Sequence, residues 1–240
     1  ALNCVKLNLK KGEVHALVGE NGAGKSTLML TLGGVFKPDD GEIYIENNKV
    51  DFESAHDANQ KGISIVYQEL SLVPNLSVAE NIFANRQPVG KMNIISSKRL
   101  RQETNRMLKS FEIDECIDPD TLVKDLSIAN QQVVEILKAM SFNPKVLILD
   151  EPTSSLTEKE IKQLFKNIRK LKAEGISFIY VVTIAKGSHL FPYRTQKLSP
   201  SALMVLGGKL PGRVGRCDVN KRFFIKHEES FLVFVKHERA

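Results

Sequence analysis

Three glycines, one lysine and two hydroxyl residues fall within nine positions of this chain, in the stretch "GENGAGKST" at 19–27. The spacing Gly19-(x)4-Gly24-Lys25-Ser26 matches the phosphate-binding loop pattern. Glycine lets backbone N–H groups approach a phosphate, lysine supplies a charge for the β- and γ-phosphates, and serine offers a hydroxyl to Mg²⁺. The residue types therefore predict a site for a nucleoside triphosphate with magnesium.

A second stretch, "VLILDEP" at 146–152, carries two adjacent carboxylates. Asp150 ends an apolar run, where its carboxylate can reach Mg²⁺ through water, and Glu151 follows at once. Such a pair is often only a solvated turn. Beside a phosphate-binding loop it predicts a metal anchor together with a group that positions or deprotonates water, because a hydrolase needs both.

The flanking segments predict the elements that hold these residues. "GEVHALVG" indicates a buried strand that runs into the loop, and "KSTLMLTLGGV" indicates a helix whose positive dipole end faces the loop. Further strands are predicted at "GISIVYQE", "KVLILD" and "ISFIYVV", a β-hairpin with its turn at Asn47-Asn48, and helices across 77–111, around 133–140 and around 161–171. Strands that alternate with helices predict an α/β fold with a parallel sheet covered on both faces.

Composition argues against several other classes of protein. No apolar run among the 240 residues approaches the roughly 18 residues of a membrane span. Three scattered cysteines predict a reducing compartment, with neither a disulfide framework nor a metal knuckle. The net charge of +6 could suggest a nucleic-acid partner, but residues 1–180 carry −1 and residues 181–240 carry +7. Since the basic excess lies in the tail alone, no nucleic-acid partner is expected.

These motifs together resemble the ATPase domain of ABC transporters, over residues 1 to about 181. "VYQE" places Gln68 where that family has its Q-loop glutamine, "DLSIANQQ" lies where the family signature lies, and "SSLT" at 154–157 resembles the D-loop. The closest likeness is to the first ATP-binding half of bacterial ribose, galactose and xylose importers. The resemblance implies a P-loop NTPase fold with a mainly parallel central sheet, an antiparallel β part and a helical insertion at about 79–127.

The resemblance also implies a role for each matched residue. Gln68 would sense the γ-phosphate and share the metal with Ser26 and Asp150. Glu151 would polarise the attacking water, and Ser127 would reach the γ-phosphate of an ATP held by a second domain. The phosphates and Mg²⁺ would be held by the loop residues Gly19, Glu20, Asn21, Gly22, Ala23, Gly24, Lys25, Ser26 and Thr27.

The implied protein is an ATP hydrolase that energises monosaccharide import from the inner face of a bacterial membrane, where it would be cytoplasmic and peripheral. Its cofactors would be ATP and Mg²⁺. Its partners would be a second ATPase domain, as a dimer or a tandem half, the membrane-spanning permease subunits and, indirectly, a periplasmic sugar-binding protein. Two alternatives stay open: an ABC ATPase coupled to export, repair or translation, and a module that binds ATP with impaired hydrolysis.

The sequence departs from the family pattern in three places. Ile128 and Ala129 replace the two glycines that usually follow the signature serine. The aromatic residue that stacks on adenine would precede residue 1, so we expect a truncated N-terminus. The switch histidine should fall near 183, where the chain has Thr183, and His189 follows six residues later. We expect 182–240 to be an unassigned tail, frameshifted or disordered, and the chain as written to be a poor ATPase.

Overall fold

Two β-sheets of different kinds, one parallel and one antiparallel, organise the chain. The computed structural model describes residues 2, 5–90, 93–111, 117–153 and 156–183, and the backbone of two further strands, 203–206 and 230–236. The strands are β1 (Val5–Lys10), β2 (Val14–Gly19), β3 (Asp40–Ile45), β4 (Asn48–Val50), β5 (Ile63–Val66), β6 (Val146–Asp150), β7 (Ser177–Thr183), β8 (Leu203–Leu206) and β9 (Ser230–Lys236). The helices are α1 (Lys25–Leu32), α2 (Ala55–Gln60), α3 (Val78–Ile82), α4 (Ser97–Ser110), α5 (Ile128–Met140) and α6 (Glu158–Ala173).

The larger sheet is parallel throughout, in the order β5-β6-β7-β2-β8. Alternate residues of its central strands enter two different hydrophobic clusters. Ile148 and Ile179 pack with α1 and the antiparallel sheet, whereas Leu147 and Phe178 pack with α3, α5 and α6. The prediction of a parallel sheet covered on both faces is therefore confirmed, and the continuous apolar runs follow from burial on both faces.

The register of the parallel sheet sets where the site must lie. Gly19 at the end of β2 is level with Thr183 of β7, and Asp150 at the end of β6 is level with Val181 of the same strand. The carboxyl ends of parallel strands lie along one edge of a sheet, which is where α/β folds bind ligands. Gly19 and Asp150 are 131 positions apart in the chain, yet the loop and the carboxylates leave the sheet at the same edge.

The antiparallel sheet has the order β1-β9-β3-β4 and contains the predicted hairpin. Its turn lies at Glu46-Asn47, because Ile45 pairs with Asn48, so the prediction of Asn47-Asn48 was one residue late. Glu46 and Asn47 have φ values of 50° and 65°. Positive φ at both central residues is the conformation of the type I′ turn, one of the two common two-residue hairpin turns.

The region 77–111 forms two helices instead of the helical stretch that its spacing predicted. Residues 83–96 separate α3 from α4, and within them Val89 pairs with Ile95 in an isolated antiparallel bridge. Pro88 and Gly90 disfavour a continuous helix here. The helical spacing that predicted this region corresponds to the inner face of α4: Leu100, Thr104, Leu108 and Phe111 are buried, and Met107 is partly buried.

Two segments beyond residue 181, in the stretch that the sequence analysis left as an unassigned tail, form strands. β8 extends the parallel sheet beside β2, and β9 lies between β1 and β3. Both segments are apolar runs, "LMVL" and "SFLVFVK", and apolar β-rich runs gain stability when they pair with exposed sheet edges. The domain boundary at 181 stays a prediction, and His189 lies outside the described residues.

Candidate functional site

The predicted phosphate-binding loop lies between the end of β2 and the start of α1, as the flanking sequence indicated. Gly22 and Gly24 have φ values of 80° and 96°, in the left-handed region that favours glycine. A Cβ atom on Gly22 would meet nothing within 4 Å, so the backbone conformation alone requires glycine there. A Cβ atom on Gly24 would lie 2.6 Å from Leu2 Cδ2, so a larger residue there would also displace the Leu2 side chain.

The start of α1 keeps its backbone N–H donors available. Gly24 occupies the cap position with no side-chain hydrogen bond, and the first turn holds no acidic residue. The first four N–H groups of a helix have no partner within the helix, and the dipole makes that end positive. Ser26, which is exposed, and Thr27, which is half-buried, stand in this first turn. An anion such as a phosphate is the ligand that this arrangement suits.

Lys25 is buried beneath the loop, with a relative exposure of only 6%. Its Nζ donates hydrogen bonds to the carbonyl oxygens of Gly19 at 2.8 Å and Glu20 at 2.9 Å. Burial lowers the pKa of Lys25 from its ordinary value, and the charges of Glu151 and then Asp150 oppose that shift. The ammonium group is thus fixed on the loop and lies within electrostatic reach of both carboxylates.

The two carboxylates stand in different backbone environments. Asp150 ends β6, and burial raises its pKa; the charge of Glu151 adds to the rise and Lys25 opposes it. Glu151 has φ 46°, a left-handed conformation that costs a non-glycine residue about 1–3 kcal/mol. Its backbone N–H donates to the carbonyl oxygen of Val181 at 3.3 Å, which holds the turn against β7. Strain of this kind is characteristic of functional sites.

Gln68 follows β5 by two residues, at the same edge of the sheet. Val66 is level with Leu149, so the chain leaves β5 beside the point where Asp150 leaves β6. The side chain of Gln68 is exposed. Tyr67, which the sequence analysis did not single out, has a pKa raised first by burial and then by the charge of Asp150. Tyr67 therefore lies in the surroundings of the Asp150 carboxylate. The sequence signal that could have indicated this is its position directly before Gln68.

The signature serine, Ser127, belongs to a different part of the molecule. It is the exposed N-cap residue of α5, and its Oγ accepts a hydrogen bond from the backbone N–H of Asn130 at 3.3 Å. Ile128, which replaces a glycine of the usual signature, is 57% exposed. The structure thus brings together the loop, Asp150, Glu151 and the start of the Gln68 segment, while Ser127 caps its own helix. Ser154 and Ser155 of the D-loop-like stretch lie outside the described residues.

The predicted metal ligands are all oxygen donors: the hydroxyl of Ser26, the amide of Gln68 and the carboxylate of Asp150. Oxygen donors suit Mg²⁺, which usually takes one or two carboxylates and completes its shell with waters and substrate phosphates. Among the described residues, no group of three His, Cys, Asp or Glu side chains could hold a metal ion. A set of oxygen donors with one carboxylate fits a magnesium ion that arrives with a phosphate ligand.

Comparison with known proteins places these features in a family. The family model described as ABC transporter matches residues 2–154. A ribose/galactose/methyl galactoside import ATP-binding protein of Halalkalibacterium halodurans is 52% identical over 182 residues, which are 75% of this chain and 34% of that protein. The galactose/methyl galactoside import ATP-binding protein MglA of Clostridium tetani is 48% identical over 184 residues, 75% of this chain and 36% of that protein. The chain therefore spans about a third of the length of the curated relatives it matches.

Solved structures give the same fold. An ATP-binding cassette of an ABC transporter in its ADP conformation has a TM-score of 0.66 at 24% identity, over 84% of this chain and 79% of that chain. A second cassette, solved as a dimer in a post-hydrolysis state with ADP and Pi, has a TM-score of 0.61 at 30% identity, over 73% of this chain and 77% of that one. The predicted fold class is confirmed. Within the described residues, no helix has the length and apolar character needed to cross a bilayer.

Proposed function

The chain belongs to the ABC transporter family, and we propose on that basis that it binds Mg-ATP at residues 19–27 and hydrolyses it to drive the import of a monosaccharide. The observation that carries the proposal is the buried Lys25, fixed on the loop carbonyls and within electrostatic reach of Asp150 and Glu151. A buried lysine that is held on the loop carbonyls and interacts electrostatically with two carboxylates suits a site where a highly charged phosphate ligand is received.

The loop side of the site would carry out binding and chemistry. Backbone N–H groups of Gly22, Gly24 and the first turn of α1 would bind the phosphate oxygens, with Lys25 on the β- and γ-phosphates. Asp150, Ser26 and Gln68 would hold Mg²⁺, which neutralises charge on the phosphates when bound. Glu151 would accept a hydrogen bond from a water and orient it toward the γ-phosphate, leaving ADP and inorganic phosphate as products.

The proposed setting is a larger assembly. The relatives are named as import ATP-binding proteins for ribose, galactose and methyl galactoside, and a cassette of similar fold was solved as a dimer. These names support a second ATPase domain as partner, with Ser127 of one domain directed to the ATP of the other. They also support permease subunits, a sugar-binding protein outside the membrane and a cytoplasmic position at its inner face.

The second candidate function is a module that binds ATP with impaired hydrolysis. Thr183 favours it, because this residue is level with Gly19 at the loop edge, where a switch histidine was expected. A threonine hydroxyl is shorter than an imidazole ring and does not change its charge near neutral pH. Loss of one donor to the transition state typically lowers the rate about 10²–10³-fold.

Lys25→Ala tests the proposed site directly. Calorimetry with Mg-ATP should show binding by the unmodified chain and an affinity at least about 30-fold weaker in the variant, since truncating a buried charged partner typically costs 2 kcal/mol or more. Lys37→Ala, an exposed lysine beyond the end of α1, is the matched control and should bind normally. Unchanged Mg-ATP affinity in Lys25→Ala would contradict the proposal that residues 19–27 bind the nucleotide.

A further inference from the structure

The segment 67–76 connects β5 to α3 and carries Gln68, yet it has no helix or strand of its own. Its far end is anchored to the helical region. The backbone N–H of Val73 donates to Asn81 Oδ1 at 2.7 Å, and the carbonyl oxygen of Leu76 accepts from the backbone N–H of Val123 at 3.1 Å. These two contacts fix residues 73–76 and leave the part nearer to Gln68 to be held by something else.

Ser71 supplies that link, through contacts with α5. Its Oγ donates to Glu135 Oε1 at 2.5 Å, and Lys138 Nζ donates to the Oγ and the carbonyl oxygen of Ser71 at 2.8 and 3.1 Å. Glu135 and Lys138 are three residues apart on α5 and therefore share one face of the helix. The contacts join residues 64 and 67 positions apart in the chain, so they come from tertiary packing alone.

Glu135 is buried, so the stability of its carboxylate depends on the Ser71 and Lys138 contacts. The residue is 4% exposed, and its Oε2 has no hydrogen-bond partner among the described residues. Lys138 Nζ lies 3.9 Å from Oε1, in ion-pair range. A buried charge is costly unless it is paired, so losing the Ser71 hydroxyl or the Lys138 ammonium would leave this carboxylate poorly compensated.

We propose that Ser71, Glu135 and Lys138 form a latch that positions Gln68 relative to Ser127. The inference rests on the proposed function, because that function assigns the roles of Gln68 and Ser127. Ser71 lies three residues after Gln68, and Glu135 lies eight residues after Ser127, about 12 Å along one continuous helix. A shift of Gln68 toward a γ-phosphate is passed through the latch to the start of α5. Glu135 and Lys138 are positioning residues, since neither touches the nucleotide.

The contacts of Asn81 and Val123 allow the positioning of Gln68 by the latch to be tested separately from the folding of the segment. Asn81 and Val123 already hold the end of the segment at α3, whether or not the latch is present. The latch therefore adds a constraint only on the stretch nearest Gln68. Its loss is expected to alter the coordination of the two motifs while the loop, Lys25 and the carboxylates keep their places.

The experiment compares Ser71→Ala, Glu135→Ala and the double variant in the full chain. We expect kcat for ATP hydrolysis to fall about 3- to 30-fold, in the range reported for residues that carry coupling between sites, while KM for ATP stays within about 2-fold. The double variant should lose no more than the worse single variant, because the two residues share one contact. Ser71→Thr keeps the hydroxyl and should recover most of the rate.

The control is Ser141→Ala at the other end of α5. Ser141 Oγ lies 2.6 Å from the carbonyl oxygen of Lys138 and 3.1 Å from that of Ile82, and it accepts from Arg86 Nη2 at 2.6 Å, so this variant also removes a hydroxyl link between α5 and α3. It does not touch the segment 67–76. If Ser141→Ala lowers kcat as much as the latch variants do, or if KM rises together with the fall in kcat, the latch is overturned.

Hydrogen exchange decides the latch separately from ATP turnover. In the latch variants, amide exchange should accelerate both at 67–72 and in the first turn of α5, while Ser141→Ala leaves 67–72 unchanged. Acceleration at 67–72 alone would mean that the contact is only local, which would overturn the proposal. A parent chain that hydrolyses no ATP would count against the proposed function, whereas the exchange pattern would still confirm or overturn the latch.

Discussion

Two helices in this chain begin at residues predicted to contact nucleotide, and they begin in opposite ways. α1 starts at Gly24, which makes no side-chain hydrogen bond to the helix. α5 starts at Ser127, whose hydroxyl already accepts from Asn130 N. An uncapped N-terminus keeps its donors for a ligand, whereas a capped one has satisfied part of them internally. The α1 start is therefore prepared for an anion in the single chain, and the α5 start is not.

This difference agrees with the proposed assembly, in which the two helix starts contact the phosphates of different ATP molecules. The α1 side would hold the phosphates of its own ATP, and the α5 side would meet a phosphate only when a second domain arrives. A serine that caps its own helix is stable alone and can turn toward a partner at the modest cost of one cap hydrogen bond. The comparison predicts that chemistry depends on the α1 side and that stability depends measurably on the α5 cap.

Glu151→Gln should give the largest effect and would locate the chemistry on the α1 side. The amide is nearly isosteric but cannot polarise water as a carboxylate does, so we expect ATP binding to persist and turnover to fall about 10²–10⁴-fold. Phosphate release in a single turnover measures the chemistry, and calorimetry measures binding. Glu174→Gln, an exposed carboxylate beyond α6, serves as the control. Hydrolysis at the parent rate in Glu151→Gln would remove Glu151 from the catalytic role.

Rebuilding the switch position should give the next largest effect. We expect the native chain to hydrolyse ATP slowly, because Thr183 stands beside Gly19 where a histidine was expected. The double change Val182→Ser with Thr183→His, alone or with residues 184–240 rebuilt in the family pattern, should raise kcat by up to about 10²–10³-fold, the usual contribution of one transition-state donor. Thr183→Ser is the control. If the native chain already has the kcat of the rebuilt chain, the sequence from residue 182 onward is a working variant of the family pattern and the expectation of a frameshift is wrong.

The next effect is the pH dependence of folding stability that the buried Asp150 causes. Burial and the charge of Glu151 raise its pKa in the folded chain. Asp150 therefore contributes stability below its ordinary pKa, and this contribution is lost as the pH rises through the raised value. Asp150→Asn should lack this loss, so its melting temperature should exceed that of the parent by a few degrees at pH 7 and by less at pH 4.

Asp57→Asn provides a control of opposite sign for the pH experiment. A hydrogen bond from Lys61, followed by one from the backbone N–H of Glu53, lowers the pKa of Asp57. Its contribution is present above its ordinary pKa and is lost as the pH falls through the lowered value. Between pH 4 and pH 7 the pH stays above the lowered pKa of Asp57, so the stability of Asp57→Asn relative to the parent should change little, whereas that of Asp150→Asn should rise. Parallel behaviour of the two variants in this range would contradict the electrostatic account of the site.

Ser127→Ala should give the smallest effect and tests the α5 side of the comparison. Loss of an N-cap side chain typically lowers the free energy of unfolding by about 1 kcal/mol. Urea unfolding monitored by circular dichroism would measure this, and ATP affinity of the isolated chain should not change. Ser54→Ala, which removes the cap of α2 where Ser54 Oγ accepts from Asp57 N at 3.2 Å, is the matched control. If ATP binding weakens in Ser127→Ala but not in Ser54→Ala, then Ser127 contributes to ATP binding within a single chain, which would contradict the comparison.

Sequence by itself determined the loop, the carboxylate pair and most of the elements that carry them. Periodicity and apolar runs identified β2, α1, β6, α6 and β7, because each of these patterns lies within a short stretch of chain. Glycine spacing identified the loop for the same reason: the need for positive φ at Gly22 and Gly24 is local. The break between α3 and α4 and the position of the hairpin turn were missed, since competing local signals decided them.

Only the tertiary structure decided which distant residues meet. The pairing of β9 with β1 and β3, the alignment of Gly19 with Thr183 and the contact of Ser71 with Glu135 each join segments at least 60 residues apart. The left-handed conformation of Glu151 was equally invisible, because it occurs at a turn that is hydrogen-bonded to Val181 on the neighbouring strand. Contacts of this kind depend on sheet order and register, which burial of the whole core selects and which no short pattern contains.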